Sequence, residues 1–301
     1  MGFPDGVGYF FAPPILWSPD ASKGFLVFPL ARFLWSLHAM AVSVDYRETY
    51  AGPEFERWAH ARDLIEPEQF LIEQYLEKEA RTLEAGTGGG RILREMARRG
   101  FSSLEGFDGV PSLIDVARKM DPSGTVRFTV QDARQLWYEA ECFAQIIYLQ
   151  QLICHITEPV GRRKAVTEAC RVLKPGGVAL FSFLLYEARL QSLSYKAVIA
   201  YLAGLRVVLG RRASAQYMPW LSHQGKFNRA ALLDRPPYVY WFRCEEAAEL
   251  LVSEGFAITG IGTLSQIRKG GLCSSVKELL KEPLEGMLYV VCQKHVSARK
   301  N

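Results

Sequence analysis

The stretch Arg81-Thr-Leu-Glu-Ala-Gly-Thr-Gly-Gly-Gly-Arg-Ile92 constrains the fold of this chain more than any other. A short apolar run stops at Glu84, and glycines stand at the alternate positions Gly86, Gly88 and Gly90 before a helical pattern begins. This reads as a strand, a tight turn and the start of a helix. The glycines can take positive φ and let the backbone come close to a ligand, and the open N–H groups of the following helix point to the same place. The stretch is a ligand cradle.

The chain beyond it keeps alternating strand with helix. A helix over 92–99 is closed by Gly100, and a strand over 103–107 ends at Asp108 before a helix that turns Leu113, Ile114, Val116 and Ala117 inward. Strands follow over 126–130 and 143–149, the latter almost wholly apolar, as a strand covered on both faces should be. Pro159 opens a helix running to Leu173, Lys174-Pro-Gly-Gly177 stops it, and 178–184 forms a fifth strand. A helix over 244–253 and strands over 256–263 and 287–292 complete the series. The pattern predicts an α/β fold with a Rossmann-like, doubly wound, mostly parallel seven-stranded sheet and its ligand at the carboxyl ends of the strands.

Residues 186–237 break this rhythm. They hold an apolar helix over 195–209 and a loop carrying Tyr217, Trp220 and His223, and are expected to form a helical insertion over the active-site face, a lid or cap. The domain is expected to span 46–301. In its first helices, Tyr46, Tyr50, Phe55 and Trp58 form an aromatic stripe read as core packing. Pro67 opens a helix over 68–80 with Phe70, Leu71, Ile72, Tyr75 and Leu76 inward.

Residues 1–45 form an N-terminal arm. Its segment 24–42 is apolar but interrupted by Pro29, Arg32 and His38. Three readings stay open: a helix packed on the domain or lying at a membrane surface, a membrane anchor, or sequence upstream of a mature start at Met40. An intact mass matching residue 1 excludes the third.

A net charge of +4 over 301 residues, with both signs interleaved, does not call for nucleic acid. The six cysteines and five histidines are scattered without metal-ligand spacing, so no metal site is expected and a reducing, cytoplasmic setting fits. A dinucleotide fingerprint would need a third glycine where Arg91 stands, which disfavours a nicotinamide-dependent oxidoreductase.

Four places in order, LEAGTGGG at 83–90, GFDGVPSLIDVAR at 106–118, VQDARQL at 130–136 and EACRVLKPGGVALFSF at 168–183, resemble the class I S-adenosylmethionine-dependent methyltransferases. The likeness runs from about Glu68 to Leu184 and again from Trp241 to Gln293. It implies S-adenosylmethionine as cofactor, with Gly86, Thr87, Gly88 and Gly90 shaping the turn beneath the methionine portion and Glu84 near its amino group. It also implies Asp108 on the ribose hydroxyls, Asp132 and the Ala133 N–H on the adenine, and Gln150 near the methionine end. Gly89 departs from the family pattern, which often has a larger residue there, a difference expected to matter little.

The activity implied is direct methyl transfer to a small molecule. His155, following the fourth strand, is the candidate general base, with His223 and Tyr217 as alternatives. The apolar helix over 195–209, flanked by Lys196, Arg206, Arg211 and Arg212, points to an apolar or lipid-like acceptor or to peripheral membrane contact. A non-catalytic, cofactor-binding regulator is the rival reading. The sequence leaves the acceptor, the methylated atom and the oligomeric state open.

Overall fold

The computed structural model describes residues 50–52, 54–223 and 226–296. The expected N-terminal arm, its apolar segment, Met40 and Tyr46 lie outside the described residues. In chain order the elements that matter are α1 (Phe55–Ala59), α2 (Glu66–Tyr75), β1 (Thr82–Ala85), α3 (Arg91–Arg98), β2 (Leu104–Asp108), α4 (Pro111–Met120), β3 (Val126–Val130), β4 (Phe143–Tyr148), α5 (Pro159–Val172) and β5 (Leu173–Leu184). The insertion holds α6 (Tyr186–Arg189), α7 (Leu193–Val208), β6 (Tyr217–Pro219), β7 (Ser222–His223), β8 (Lys226–Phe227) and β9 (Tyr238–Tyr240). α8 (Cys244–Ser253), β10 (Phe256–Gly262) and β11 (Met287–Lys294) close the domain.

Seven strands form one sheet in the order β3-β2-β1-β4-β5-β11-β10. The first five are parallel, and β11 runs antiparallel to both β5 and β10. The expected doubly wound, mostly parallel sheet is thus the observed one. β1 is buried along its whole length because it sits between β2 and β4 with helices on both faces. Side chains alternate across the sheet: Ile146 and Tyr148 of β4 and Phe181 and Phe183 of β5 enter one core, while Ile147 and Leu180 enter the other with Leu71, Ile72 and Leu93.

Two boundaries differ from expectation for physical reasons. β5 begins at Leu173, because that residue pairs with Phe143 and Val178 next pairs with Gln145, so the intervening residues bulge from a continuous strand. In the insertion, the stretch expected to be loop carries the antiparallel pair β6–β9 and the hairpin β7–β8. Backbone pairing of Tyr217 with Tyr240 brings its two ends together, a long-range contact that local pattern does not show.

Gly89 matters more than expected. Its N–H donates to the Trp58 carbonyl (3.1 Å), and a Cβ there would lie 2.2 Å from the Ala59 carbonyl oxygen. The end of α1 therefore rests directly on the glycine turn. Gly89→Ala should push α1 away and cost about 1–3 kcal/mol, the usual range for forced overpacking. Urea denaturation measures this, and an unchanged midpoint would show that α1 yields freely.

Candidate active site

Parallel strands place their carboxyl ends on one edge of the sheet, so the turns after β1, β2, β3 and β4 meet there. Between them opens a cleft of ≈ 740 Å³ lined by Gly86, Gly88, Asp108, Asp132, Ala133, Gln150 and His155 among others. Of the residues expected at the site, these seven converge on one cleft. Glu84, Thr87 and Gly90 lie outside its lining.

The turn itself has Gly86, Gly88 and Gly90 at φ +67°, +54° and +77°, a backbone path that other residues adopt only under strain. It is pinned by the Asp108 carboxylate, which accepts the Gly88 N–H (3.0 Å) on Oδ2 and the Val110 N–H (2.9 Å) on Oδ1. Burial pushes the Asp108 pKa upward and these N–H groups oppose the shift. The carboxylate still has acceptor capacity beyond these donors for a ligand hydroxyl. Asp132 accepts the Arg134 N–H (2.9 Å) and forms an ion pair with the same residue's guanidinium (2.6 Å), so its carboxylate is held at the cleft wall.

Below the turn lies a second layer of polar groups. Glu84 is buried and accepts the Thr87 hydroxyl (2.6 Å), and desolvation pushes its pKa up to about 7 against the pull of Thr87 and Arg91. Arg91 makes a two-pronged pair with the buried Glu68 (2.5 and 2.7 Å), which also accepts the Gln150 amide. Gln150 and Gln151 both take left-handed backbone conformations (φ +57° and +53°), uncommon for non-glycine residues and characteristic of functional turns. Glu68 was not legible as a site residue, since an acid in a first helical turn reads as a solvated one.

An aromatic wall closes the cleft at the His155 end. Tyr50 donates to, or accepts from, His155 Nε2 at 3.0 Å, and the Tyr50, His155 and Trp220 rings meet edge to face with centroids 5.4–5.9 Å apart. Trp58 packs on Tyr50 in the same manner at 6.2 Å, and its buried Nε1 has no hydrogen-bond partner among the described residues. Desolvation pulls the His155 pKa down to about 4, which keeps the ring neutral at ordinary pH. The stripe read as core packing thus has two roles: Tyr50, Phe55 and Trp58 pack against Val110 and Leu113, and Tyr50 and Trp58 also border the cleft. Trp220 reaches this wall from the insertion. Tyr217 instead donates to the Thr157 carbonyl (2.9 Å), away from the cleft lining.

A family model described as a methyltransferase domain matches residues 82–177. Ubiquinone biosynthesis O-methyltransferases from Xanthomonas oryzae pv. oryzae and Roseobacter denitrificans are each 33% identical to this chain, over 108 and 144 residues. Those matches cover 35% and 47% of this chain, and the chain spans only 43% and 51% of the relatives. Among solved structures, a SAM-dependent methyltransferase from Methanosarcina mazei superposes with a TM-score of 0.57 at 20% identity, covering 75% of this chain and 98% of that one. The [4+2]-cyclase SpnF superposes at 0.51 with 19% identity, covering 77% and 81%. These structural likenesses bear on the fold.

Glu84 generates a pH prediction. Its folded pKa of about 7 exceeds the ordinary value of 4.5, so ionising it opposes folding. Stability associated with this group is complete below pH 4.5 and is lost as pH rises through 7. Glu84→Gln should therefore raise ligand-free stability at pH 8 by on the order of 3 kcal/mol, seen as a higher melting temperature, and leave it nearly unchanged at pH 4. Thermal melts across pH check this; a loss of stability at pH 8 would show that the carboxylate is stabilised there.

Proposed function

With residues 82–177 matching a family model described as a methyltransferase domain, we propose that the protein transfers a methyl group from S-adenosylmethionine to a hydroxyl of a small, apolar, ring-bearing acceptor. The observation that carries the reading is the convergence of Asp108, Asp132, Ala133, Gly86 and Gly88 on one cleft at the carboxyl ends of β1, β2 and β3. The residues present fit the cofactor. Asp108 holds two acceptor oxygens suited to a ribose diol, and Gly86 takes a φ of +67° that other residues adopt only under strain, so the cradle there depends on glycine.

S-adenosylmethionine supplies a methyl on a sulfonium, already activated for displacement. What this chain must add is position and dryness. Asp108 and Asp132 would hold the nucleoside, with the Ala133 N–H at the adenine edge. Gly86, Thr87, Gly88 and Gly90 shape the turn under the methionine portion, and Gln150, tied to Glu68, would border it. Glu84 would face the amino group through the floor of the turn, where a nearby cation would lower its pKa and release a proton on binding.

The aromatic wall supports an acceptor with a flat apolar face, and the names of the relatives favour oxygen as the atom methylated. As the acceptor oxygen bonds to the methyl, its proton has to leave, and neutral His155 would take it, with the Tyr50 contact setting which ring nitrogen is open. The insertion would act as the lid that excludes water, through Trp220.

Two measurements test the reading. Titration calorimetry should show S-adenosylmethionine binding that Asp108→Asn weakens about tenfold or more, as expected for lost hydrogen bonds to a charged group; tight NAD binding in its place would sink it. With labelled cofactor and a panel of phenols, His155→Ala should lower kcat about a hundredfold with little change in cofactor affinity. An unchanged kcat would end the base assignment, and cofactor binding without any transfer would favour a non-catalytic role.

A further inference from the structure

Soluble helices turn apolar residues inward and charge outward. α7 packs Leu202, Val198 and Ile199 inward but also leaves its outer face without charge. Its Arg206 is buried and makes a two-pronged pair with buried Asp234 (2.7 and 2.9 Å), while all nine exposed positions of the helix are uncharged. Val207 and Val208 are 80% and 83% exposed and Leu193 is 67% exposed. The Tyr201 hydroxyl donates to the Leu232 carbonyl (2.7 Å), which sets the exposed Leu232 and Leu233 beside the exposed Tyr201 ring. The apolar face therefore extends from one element onto the next, and scattered single residues do not do this.

Charge shows what covers it. Residues 186–237 carry eight Lys or Arg against two Asp or Glu, a surplus of six in a chain whose net charge is +4. Arg212, Arg229 and Arg235 are exposed beside the apolar positions and make no ion pair among the described residues. We infer that α7 and the adjoining residues 229–235 dock on an anionic lipid bilayer, with Val207, Val208 and Leu233 entering the acyl boundary and the arginines meeting lipid phosphates. Apolar residues rimmed by cations are the chemistry such a surface recognises. A second copy of this chain would set two surpluses of six against each other. The apolar segment 24–42 holds no Asp or Glu to meet the arginines. No helix among the described residues is long and apolar enough to cross a membrane, so the contact lies on the surface.

The docked face belongs to the same insertion as Trp220, so the bilayer would lie against the element that borders the aromatic end of the cleft. The inference does not depend on the chemistry proposed there. Its test is flotation of the full chain with vesicles of phosphatidylcholine alone and of phosphatidylcholine mixed with phosphatidylglycerol. The expected result is binding to the mixed vesicles only, released by salt. The double variant Val207→Glu/Val208→Glu should reduce the bound fraction about tenfold or more. The triple variant Arg212→Gln/Arg229→Gln/Arg235→Gln should do likewise at low salt. Both variants should keep wild-type circular dichroism and S-adenosylmethionine affinity, since these positions are exposed and remote from the cleft lining. Absence of wild-type binding to mixed vesicles, equal binding to both vesicle types, or full binding by the valine variant would overturn the inference. So would a wild-type dimer that the valine variant dissociates. Each of these outcomes leaves the cofactor titration, and the reading it tests, standing.

Discussion

The Asp108 carboxylate is the interaction on which the rest of the site depends. It closes the gap between two parallel strands by accepting one N–H from the turn after β1 and another from the start of α4. Burying an unpaired carboxylate is costly, and backbone N–H groups are the partners that offset it. Because the group is fixed by main-chain donors, it is rigid before any ligand arrives. Asp108 thereby ties the turn after β1 to the start of α4.

From that point the polar layer spreads under the turn. Glu68 joins Arg91 to Gln150, so the helix start after β1 and the left-handed corner after β4 are tied together. Glu84 stands apart, with a hydroxyl as its partner and a pKa near neutrality. A buried carboxylate so weakly compensated is a local cost to the fold. Gly89 contributes by absence of bulk: without a Cβ it lets α1 rest on the turn, and α1 in turn carries Trp58 to the cleft wall.

Much of this was legible in the residues. The strand and helix alternation and the parallel sheet follow from period, apolar runs and turn residues, all local signals, whereas Asp108, Asp132, Ala133 and Gln150 were singled out by the family resemblance of the stretches that hold them. The aromatic wall was not legible. Tyr50 and His155 lie 105 residues apart and Trp220 comes from the insertion, so their meeting depends on how α1 and the insertion fold back over the sheet edge. The uncharged outer face of α7 was likewise hidden. A stripe of apolar residues looks the same whether it is packed or exposed, and only the burial of Arg206 against Asp234 shows which side faces out.

The sequence by itself determined the layered architecture and which end of the sheet holds a ligand, because strand burial, glycine turns and strand-end carboxylates are properties of short stretches. Tertiary structure alone decided which side chains share the cleft wall, that Gly89 is a contact point and that α7 turns its uncharged face to solvent. Those depend on distances between residues far apart in the chain, and the period of a pattern carries no information about such distances.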